Sequence, residues 1–426
     1  MLRWITSRRI MLCLAVILVT LTLASTTGLS ARKTIKIGFL LPLSGSRAAF
    51  GQDARNGIEI AIDKINAQGG IKKEYDIVPI FSDVTTVDAG IAEARRLIEI
   101  EKVNILSGTF ATDIAVACSA IAESSKVIYW EMCSPADAIT TRNFKYLFRT
   151  CPTGGPEGET MVQFAYDNAE KIGKTKDTLT VAIIGVDSTY GTGVTDGAAK
   201  RAKELGLKVV HHELYNSAVT DLSPLVMKLK LAKPDVIIGV TLIDDGSLFY
   251  RQARELGLYA KAMIGTGSCF GSGMFFERFG YLSEGVLATN YPTDLSPAGF
   301  APGLPEFLTT YRARNNRDPL VAHIALSCHQ GILILQDVLE RTKSLSSDDI
   351  AAAAVATDIP KGKIGNGWGA KFAPQGDPMR GTNTAATIIV TQWNKGKLYM
   401  VWPLAYPGIE LRLPFPTWEE REKAKY

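Results

Sequence analysis

Residues 35–71 place a β-rich apolar run, a loop and an amphipathic helix in that order. The apolar run covers 35–41, and isoleucines then recur at helical spacing from Ile58 until two glycines end the pattern. A strand followed by a helix in this way opens an α/β domain. Because ligands of open α/β sheets bind at the carboxyl ends of the strands, the loop that contains Ser44 and Phe50 is expected at the mouth of a site.

The alternation of strand and helix continues along the 426 residues, which are enough for two domains. It predicts two doubly wound halves of similar build, separated by a glycine- and proline-rich crossing or linker at 151–156 that lies outside any element. Further elements at 285–290, 305–314, 324–341 and 388–393 are expected to return to both sheets. Strands are predicted at 77–81, 103–106, 127–130, 144–150, 180–186, 208–214, 236–240 and 262–266. Helices are predicted at 89–100, 113–123, 193–205, 222–232 and 246–256.

The first thirty residues differ from the rest of the chain. Three arginines precede an apolar run at 10–19, and small residues follow at 24–28, which is the order of a secretory signal peptide. The alternative is an uncleaved membrane anchor, because the run is at the short end of a span. We expect residues 1–30 to be a signal peptide that is cleaved and directs the protein to the periplasm.

Without those three arginines the formal net charge of +4 falls to about +1, so no nucleic acid or anionic membrane partner is expected. Five cysteines remain outside the predicted signal, and their spacings fit no zinc site. Most of them are expected to be buried apolar residues, and at least one thiol stays free because their number is odd. The composition therefore predicts neither a metal nor a polyanionic partner.

The sequence contains no recognisable catalytic set. It lacks a Gly-x-Ser-x-Gly elbow, and the glycines at 191–197 do not complete a dinucleotide fingerprint. Of the four histidines, only His329 could contribute to a cleft, and we expect it more strongly at a core or hinge position. We therefore expect a protein that is not an enzyme and that uses no cofactor.

Small polar residues cluster where predicted strands end. Ordinary helix capping explains any one of these loops, but their convergence from two domains indicates a site between the halves. The candidates for ligand binding are Ser44, Phe50, Thr112, Asp113, Cys133, Ser134, Tyr190, Thr241, Leu242, Gly267 and Ser268.

Several segments in this order resemble the Leu/Ile/Val-binding protein family, the periplasmic receptors of branched-chain amino acid type ABC importers. They are LPLSGSRAAFGQDARNGIEIAIDKINAQGGI, GTFATDIAVA, DSTYGTG, DLSPLVMKLKLAKPDVIIG, FYRQARELGL and LERT. The resemblance implies an α/β type I periplasmic binding protein fold, with two Rossmann-like lobes, three hinge crossovers and closure on a ligand. It divides the chain into an N-terminal lobe (33–153 plus 291–380), a C-terminal lobe (154–290 plus 381–407) and a solvated charged tail (408–426).

The resemblance also assigns roles by position. Phe50 would lie against the ligand side chain, and Thr112, helped by the backbone at Asp113, would bind a carboxylate. Tyr190 would close from the second lobe. The remaining matches are Cys133 and Pro135 in a contacting loop, and Thr241 or Leu242 near a second aromatic position.

One departure from the family concerns the ligand's ammonium group. Gly267 beside Ser268 stands where the family's amino-acid binders place a glutamate, and an unpaired buried ammonium would cost several kcal/mol. Glu131, Asp113 or Asp244 could substitute. His329 also replaces a tyrosine common in the hinge-side helix of the family.

The function implied is capture of a small molecule, an amino acid or a related amide or carboxylic compound, and its delivery to the membrane permease of an ABC importer. A monomer is expected. Two alternatives stay open: a ligand-sensing regulatory protein of the same fold, and a secreted α/β enzyme.

Overall fold

The first of two β-sheets contains five parallel strands in the order β2-β1-β3-β4-β5. The computed structural model describes residues 32–108, 110–293, 295–297 and 299–423, so the predicted signal peptide lies outside the described residues. The strands of this sheet are β1 (Lys33–Leu41), β2 (Tyr75–Asp83), β3 (Ile105–Gly108), β4 (Ile128–Glu131) and β5 (Leu147–Arg149). Its helices are α1 (Ala48–Ala67), α2 (Val87–Glu99) and α3 (Thr112–Ser124).

Helix α1 begins earlier than predicted, so Phe50 lies in a helix and not in a loop. The reason is tertiary packing. A Cβ atom on Gly51 would lie only 2.0 Å from the carbonyl oxygen of Pro42, so a glycine lets the first turn of the helix pack directly on the preceding loop. Phe50 then packs inward and is only 2% exposed.

The glycine- and proline-rich segment that was predicted as a linker instead begins helix α4 (Gly154–Asp167). Proline is tolerated here because the amides of a first helical turn need no partner within the helix. The glycines serve a close helix crossing: a Cβ on Gly158 would lie 1.9 Å from the carbonyl oxygen of Val194 on the neighbouring helix α5 (Thr189–Glu204). The prediction that 151–156 lies outside any element was therefore wrong from Gly154 onward, although the chain does cross from the first sheet to the second here.

The second sheet has seven strands in the order β12-β11-β10-β9-β8-β6-β7. Its core is parallel, whereas β11 runs antiparallel to both of its neighbours, and β12 was not predicted. The strands are β6 (Thr180–Val186), β7 (Lys208–Tyr215), β8 (Val236–Val240), β9 (Ala262–Thr266), β10 (Leu287–Asn290), β11 (Ile389–Asn394) and β12 (Lys397–Trp402). Besides α4 and α5, its helices are α6 (Ser223–Ala232), α7 (Ile243–Glu255) and α8 (Gly273–Phe279).

The chain returns to the first sheet after β10, as expected from the late elements. The returning helices are α9 (Leu304–Asn315), α10 (Ala322–Arg341) and α11 (Ser347–Val355). Helix α10 packs against α1, and buried Asp53 of α1 accepts hydrogen bonds from the hydroxyl of Tyr311 (2.5 Å) and the amide of Val321 (2.7 Å). With the passages after β5 and before β11, three crossovers connect the two lobes, which confirms the predicted fold class. The lobe boundaries at 153/154, 290/291 and 380/381 stay predictions.

The charged C-terminal segment is not a solvated tail. Its last described element, helix α12 (Trp418–Lys423), packs on the second lobe through Arg421, which is 1% exposed. The guanidinium lies 3.7 Å from the ring of Trp418 and 4.0 Å from that of Phe415, and it donates a hydrogen bond to the hydroxyl of Tyr250 at 2.5 Å. Charge counting alone missed this because a planar cation can be buried against aromatic faces.

No helix in the described ranges is both long enough and apolar enough to span a bilayer.

Candidate functional site

A cavity of about 80 Å³, partly open to solvent, lies between the two lobes. Its walls come from loops at the carboxyl ends of strands in both sheets and from the first turns of α3, α4 and α5. Seven of the eleven predicted ligand-binding residues line it: Thr112, Asp113, Cys133, Tyr190, Leu242, Gly267 and Ser268. The convergence expected from the strand-end loops is therefore present in the folded chain.

The other four predicted residues lie outside the cavity wall. Ser44 is exposed, and its amide donates to Asp83 at 3.2 Å. Ser134 and Thr241 are buried. Phe50 is also buried, but its ring stacks on that of Phe110 with the centroids 4.3 Å apart. Of these two stacked rings, the one that lines the cavity belongs to Phe110, which was not predicted.

The first-lobe wall includes the N-terminus of helix α3. Its N-cap is Ala111, whose side chain has no hydrogen-bond acceptor, and the next two residues, Thr112 and Asp113, line the cavity. The amides of a first helical turn and the positive end of the helix dipole favour an anionic group at such a position. The side chain of Arg47 adds a cation to the same cavity wall.

The second-lobe wall is built around Tyr190 in the first turn of α5. Ser188 caps this helix by accepting a hydrogen bond from the amide of Gly191 at 3.0 Å, which fixes the position of the tyrosine. The Tyr190 hydroxyl lies 3.5 Å from that of Ser268. Burial raises the pKa of the Tyr190 phenol, so it stays a neutral hydrogen-bonding group.

Gly267 fits its place because a side chain there would be crowded. A Cβ on this residue would lie 3.0 Å from the carbonyl oxygen of Thr289 and 3.1 Å from Oδ1 of Asn290. A carboxylate is nevertheless present in the same cavity, supplied by Glu157 in the first turn of α4. Thr289 donates a hydrogen bond to Glu157 Oε1 at 2.9 Å.

Burial raises the pKa of Glu157 to about 7, even though the bond from Thr289 opposes the shift. Its carboxyl group can therefore be neutral or ionised near neutral pH, depending on what binds beside it. Sequence reasoning missed this residue because it lies next to the segment interpreted as a linker. The pattern that could have identified it is a glutamate two residues after a Gly-Gly pair at a helix start.

Of the three carboxylates considered as substitutes for the family glutamate, only Asp113 lines the cavity. Oε1 of buried Glu131 accepts hydrogen bonds from the amides of Met132, Cys133 and Ser134 at 3.0, 2.9 and 2.9 Å and so orders that loop. Asp244 forms an ion pair with Arg278 at 2.8 Å, away from the cavity.

The histidine that lines the cavity is His323, for which no cleft role was predicted. His323 lies in the first turn of α10 and makes an edge contact with the ring of Tyr291, with centroids 5.7 Å apart. Burial lowers the pKa of His323 to about 4, so it is neutral at physiological pH. His329 is buried two turns later against Phe307, which agrees with the core position that was the stronger expectation.

A direct hydrogen bond joins the lobes at the rim of the cavity. Thr189, the residue before Tyr190, donates to Asp113 Oδ1 at 2.5 Å. This contact closes the cleft between α3 and α5. Within the described ranges, no cluster of three or more His, Cys, Asp or Glu side chains is suited to hold a metal ion.

The chain resembles known binding proteins over almost all of its described length. Residues 34–397 match the Periplasmic binding protein family. A Leu/Ile/Val-binding protein homolog 8 from Brucella abortus is 34% identical over 383 residues, which is 89% of this chain and 93% of that protein.

Two solved structures share the fold at lower sequence identity. The branched-chain amino acid transporter substrate binding protein LivJ from Streptococcus pneumoniae, in complex with isoleucine, has a TM-score of 0.71 and 22% identity over 87% of this chain and 99% of its own. A solute binding protein of an ABC transporter from R. palustris, in complex with 4-hydroxybenzoate, has a TM-score of 0.72 and 20% identity over 88% of this chain and 98% of its own.

Family and fold are those of extracytoplasmic binding proteins rather than enzymes. The chain therefore belongs to the periplasmic binding protein family, and within that family it is of the Leu/Ile/Val-binding type.

Proposed function

We propose that the protein captures a small amphipathic carboxylic compound between its lobes and delivers it to the membrane permease of an ABC importer. It acts as a monomer in the periplasm after the signal peptide at 1–30 is removed. The observation that carries the proposal is one cavity walled by both lobes and closed by the hydrogen bond from Thr189 to Asp113. Closure of two lobes on a ligand gives the permease a conformation that reports occupancy.

The polar groups of the cavity support a carboxylate as the common part of the ligand. The N-terminus of α3 and the guanidinium of Arg47 favour a negative charge on the first-lobe side. The rings of Phe110, Tyr190 and Tyr291 provide apolar contact for the rest of the molecule. Isoleucine and 4-hydroxybenzoate, which the two structural relatives bind, both combine a carboxylate with an apolar body.

Glu157 distinguishes the two ligand classes. Beside an ammonium group the carboxyl ionises and balances the charge, whereas beside a neutral phenol or amide it keeps its proton and donates a hydrogen bond. An amino acid would therefore release a fraction of a proton when it binds at pH 7, and an aromatic acid would take up a fraction of a proton.

The first experiment is native mass spectrometry of the purified protein for a co-purified solute, followed by thermal shift and calorimetry with amino acids, amides and aromatic acids. The Tyr190→Ala and Thr112→Ala variants should each bind the best ligand about 1 to 3 kcal/mol more weakly, through lost stacking and an unmet hydrogen bond. Tyr259→Ala, at an exposed site of the second lobe, is the matched control. Absence of any co-purified solute and of any shift across the panel would contradict the proposal.

The proton balance follows from the same calorimetry in buffers of different ionisation enthalpy. Release of protons identifies an amine-bearing ligand at Glu157, and uptake identifies a neutral group there. Glu157→Gln should abolish either signal. A proton signal that persists in this variant would show that another group contacts the ligand.

A further inference from the structure

Two buried cysteines from distant parts of the chain meet in the wall of the cavity. Cys133 lies in the loop after β4, and Cys328 lies on α10, 195 residues later. Their sulfur atoms are 3.0 Å apart. In the described ranges, no other two cysteine sulfurs are in contact.

The distance is about 1 Å longer than the roughly 2.05 Å of a covalent S–S bond. Other contacts hold the two backbones together on both sides of the pair. The hydroxyl of Ser327 donates to the carbonyl oxygen of Met132 at 2.7 Å, and the indole N–H of Trp130 donates to the carbonyl oxygen of Gly331 at 3.0 Å. These contacts hold the two backbones beside each other, so a bond requires the sulfurs to approach by about 1 Å.

The family acts outside the cytoplasm, where disulfides form and persist. We propose that Cys133 and Cys328 form an intramolecular disulfide in the exported protein, which joins the loop after β4 to helix α10 in the wall of the ligand cavity. The observations that carry this proposal are the sulfur contact and the hydrogen bonds that flank it. The proposal does not depend on which ligand the cavity binds.

The bond requires a disulfide oxidant, such as a periplasmic thiol–disulfide oxidoreductase or a small-molecule disulfide. A cysteine thiolate attacks the oxidant and forms a mixed disulfide, and the second thiolate then displaces the oxidant's remaining sulfur. The two protein thiols lose two protons and two electrons, and the oxidant leaves as two thiols. Burial raises the pKa of Cys133, which makes its thiolate scarce once the loop has packed, so we expect the bond to form during folding.

Cys151 is the main competitor for the pairing. It is buried near the same loop, and its thiol donates to the carbonyl oxygen of Ser134 at 3.7 Å. The structure favours Cys328 because its sulfur already touches that of Cys133. Cys118 in α3 and Cys269 in the second lobe belong to other parts of the core and are expected to remain thiols.

The loop that this bond closes contains all of β6 through β10 and thus most of the second lobe. A covalent link over so long a loop restricts the unfolded chain strongly. At the site itself, the link replaces the S–H group of Cys133 in the cavity wall by a sulfur that cannot donate a hydrogen bond. It also fixes the first turns of α10, which carry His323, relative to the first-lobe wall.

The test is a thiol count on the mature protein exported to the periplasm and alkylated in denaturant. We expect three alkylated cysteines without a reductant and five with one, because the chain has five cysteines beyond residue 30. Peptide mapping without reduction should give one cross-linked pair, which contains Cys133 and Cys328. Five alkylated thiols in the unreduced protein, or a cross-link between Cys133 and Cys151, would overturn the proposal.

Variants add a second measurement that does not depend on mapping. Cys133→Ser and Cys328→Ser should each show four free thiols both with and without reductant, and Cys118→Ser should show two without and four with it. Reduction should lower the Tm of the wild type by about 5 °C and leave that of Cys328→Ser unchanged. An equal change in Tm on reduction of the wild type and of Cys328→Ser would also contradict the bond. If a variant fails to fold, the count of free thiols in the wild type is the deciding measurement.

Discussion

Thr189 donates a hydrogen bond to Asp113 across the mouth of the cavity, and this 2.5 Å contact joins the N-terminal turn of one lobe's helix to that of the other. Thr189 itself does not line the cavity, although its neighbour Tyr190 does. The contact therefore stabilises the closed arrangement, and Thr189 can be changed without altering a residue of the cavity wall. A substitution at Thr189 can therefore test how much closure of the lobes contributes to affinity.

Thr189→Val should favour the open form, because the valine has the same shape but no hydroxyl. We expect about 2- to 10-fold weaker ligand binding, the equivalent of one exposed hydrogen bond, with most of the change in the dissociation rate. Stopped-flow measurement of ligand release tests this. Thr192→Val, one turn further along α5, is the control and should bind normally. A Thr189→Val protein with the wild-type dissociation rate would contradict the assigned closing role.

Phe110 and Phe50 should behave differently although their rings stack. Phe110→Ala removes an aromatic wall of the cavity and should weaken binding by about 1 to 2 kcal/mol. Phe50→Leu conserves most of the buried volume, so it should lower stability by roughly 1 kcal/mol and change the affinity less than twofold. Calorimetric titration and urea unfolding of both variants separate the two effects. A larger loss of affinity in Phe50→Leu would restore Phe50 as the direct contact.

Glu157 should make the ligand-free protein less stable as the pH rises. The folded state holds its pKa at about 7, above the ordinary 4.5, so the folded protein binds the proton more tightly than the unfolded chain. Its contribution is fully present below pH 4.5 and is lost as the pH rises to about 7, by roughly 3 kcal/mol at most. The difference in unfolding free energy between wild type and Glu157→Gln should therefore decrease between pH 5 and pH 8.

Urea unfolding at the two pH values measures this difference. Glu159→Gln, two residues along the same helix and paired with Lys200 at the surface, controls for the loss of one acidic residue. Parallel pH profiles for wild type and Glu157→Gln would show that the carboxyl has an ordinary pKa.

Arg421 should matter for stability and not for binding. Arg421→Ala removes a cation held between two aromatic rings and its hydrogen bond to Tyr250, which should lower the free energy of unfolding by about 2 to 3 kcal/mol. Lys423→Ala, in the same helix but with an exposed side chain, should leave stability unchanged. Thermal unfolding and ligand titration check both outcomes. An unchanged Tm for Arg421→Ala would mean that the C-terminal helix contributes little.

The site was partly predictable because strand-end loops converge whenever strands run parallel. Thr112, Asp113, Cys133, Tyr190, Leu242, Gly267 and Ser268 were identified in this way and do line the cavity. The positions of Phe50, Glu157 and His323 relative to the cavity were not predicted, because each depends on packing between distant segments. Phe50 lies behind Phe110. Glu157 lies in a helix whose first residues are glycines, which sequence patterns assign to a loop. His323 reaches the cavity because α10 packs against α1.

The periodicity of isoleucines, glycines and strand-end polar groups was enough to predict the α/β class and the two halves, because each element depends on a local pattern. The family came from the resemblance of several short segments in a fixed order. The tertiary structure decided which side chains share the cavity, which carboxyl group is buried in it, and which cysteines meet. These properties arise from contacts between residues as far apart as Cys133 and Cys328 or Glu157 and Thr289. Local sequence carries no record of such contacts, since the free energy that selects them comes from burial and close packing of the whole chain.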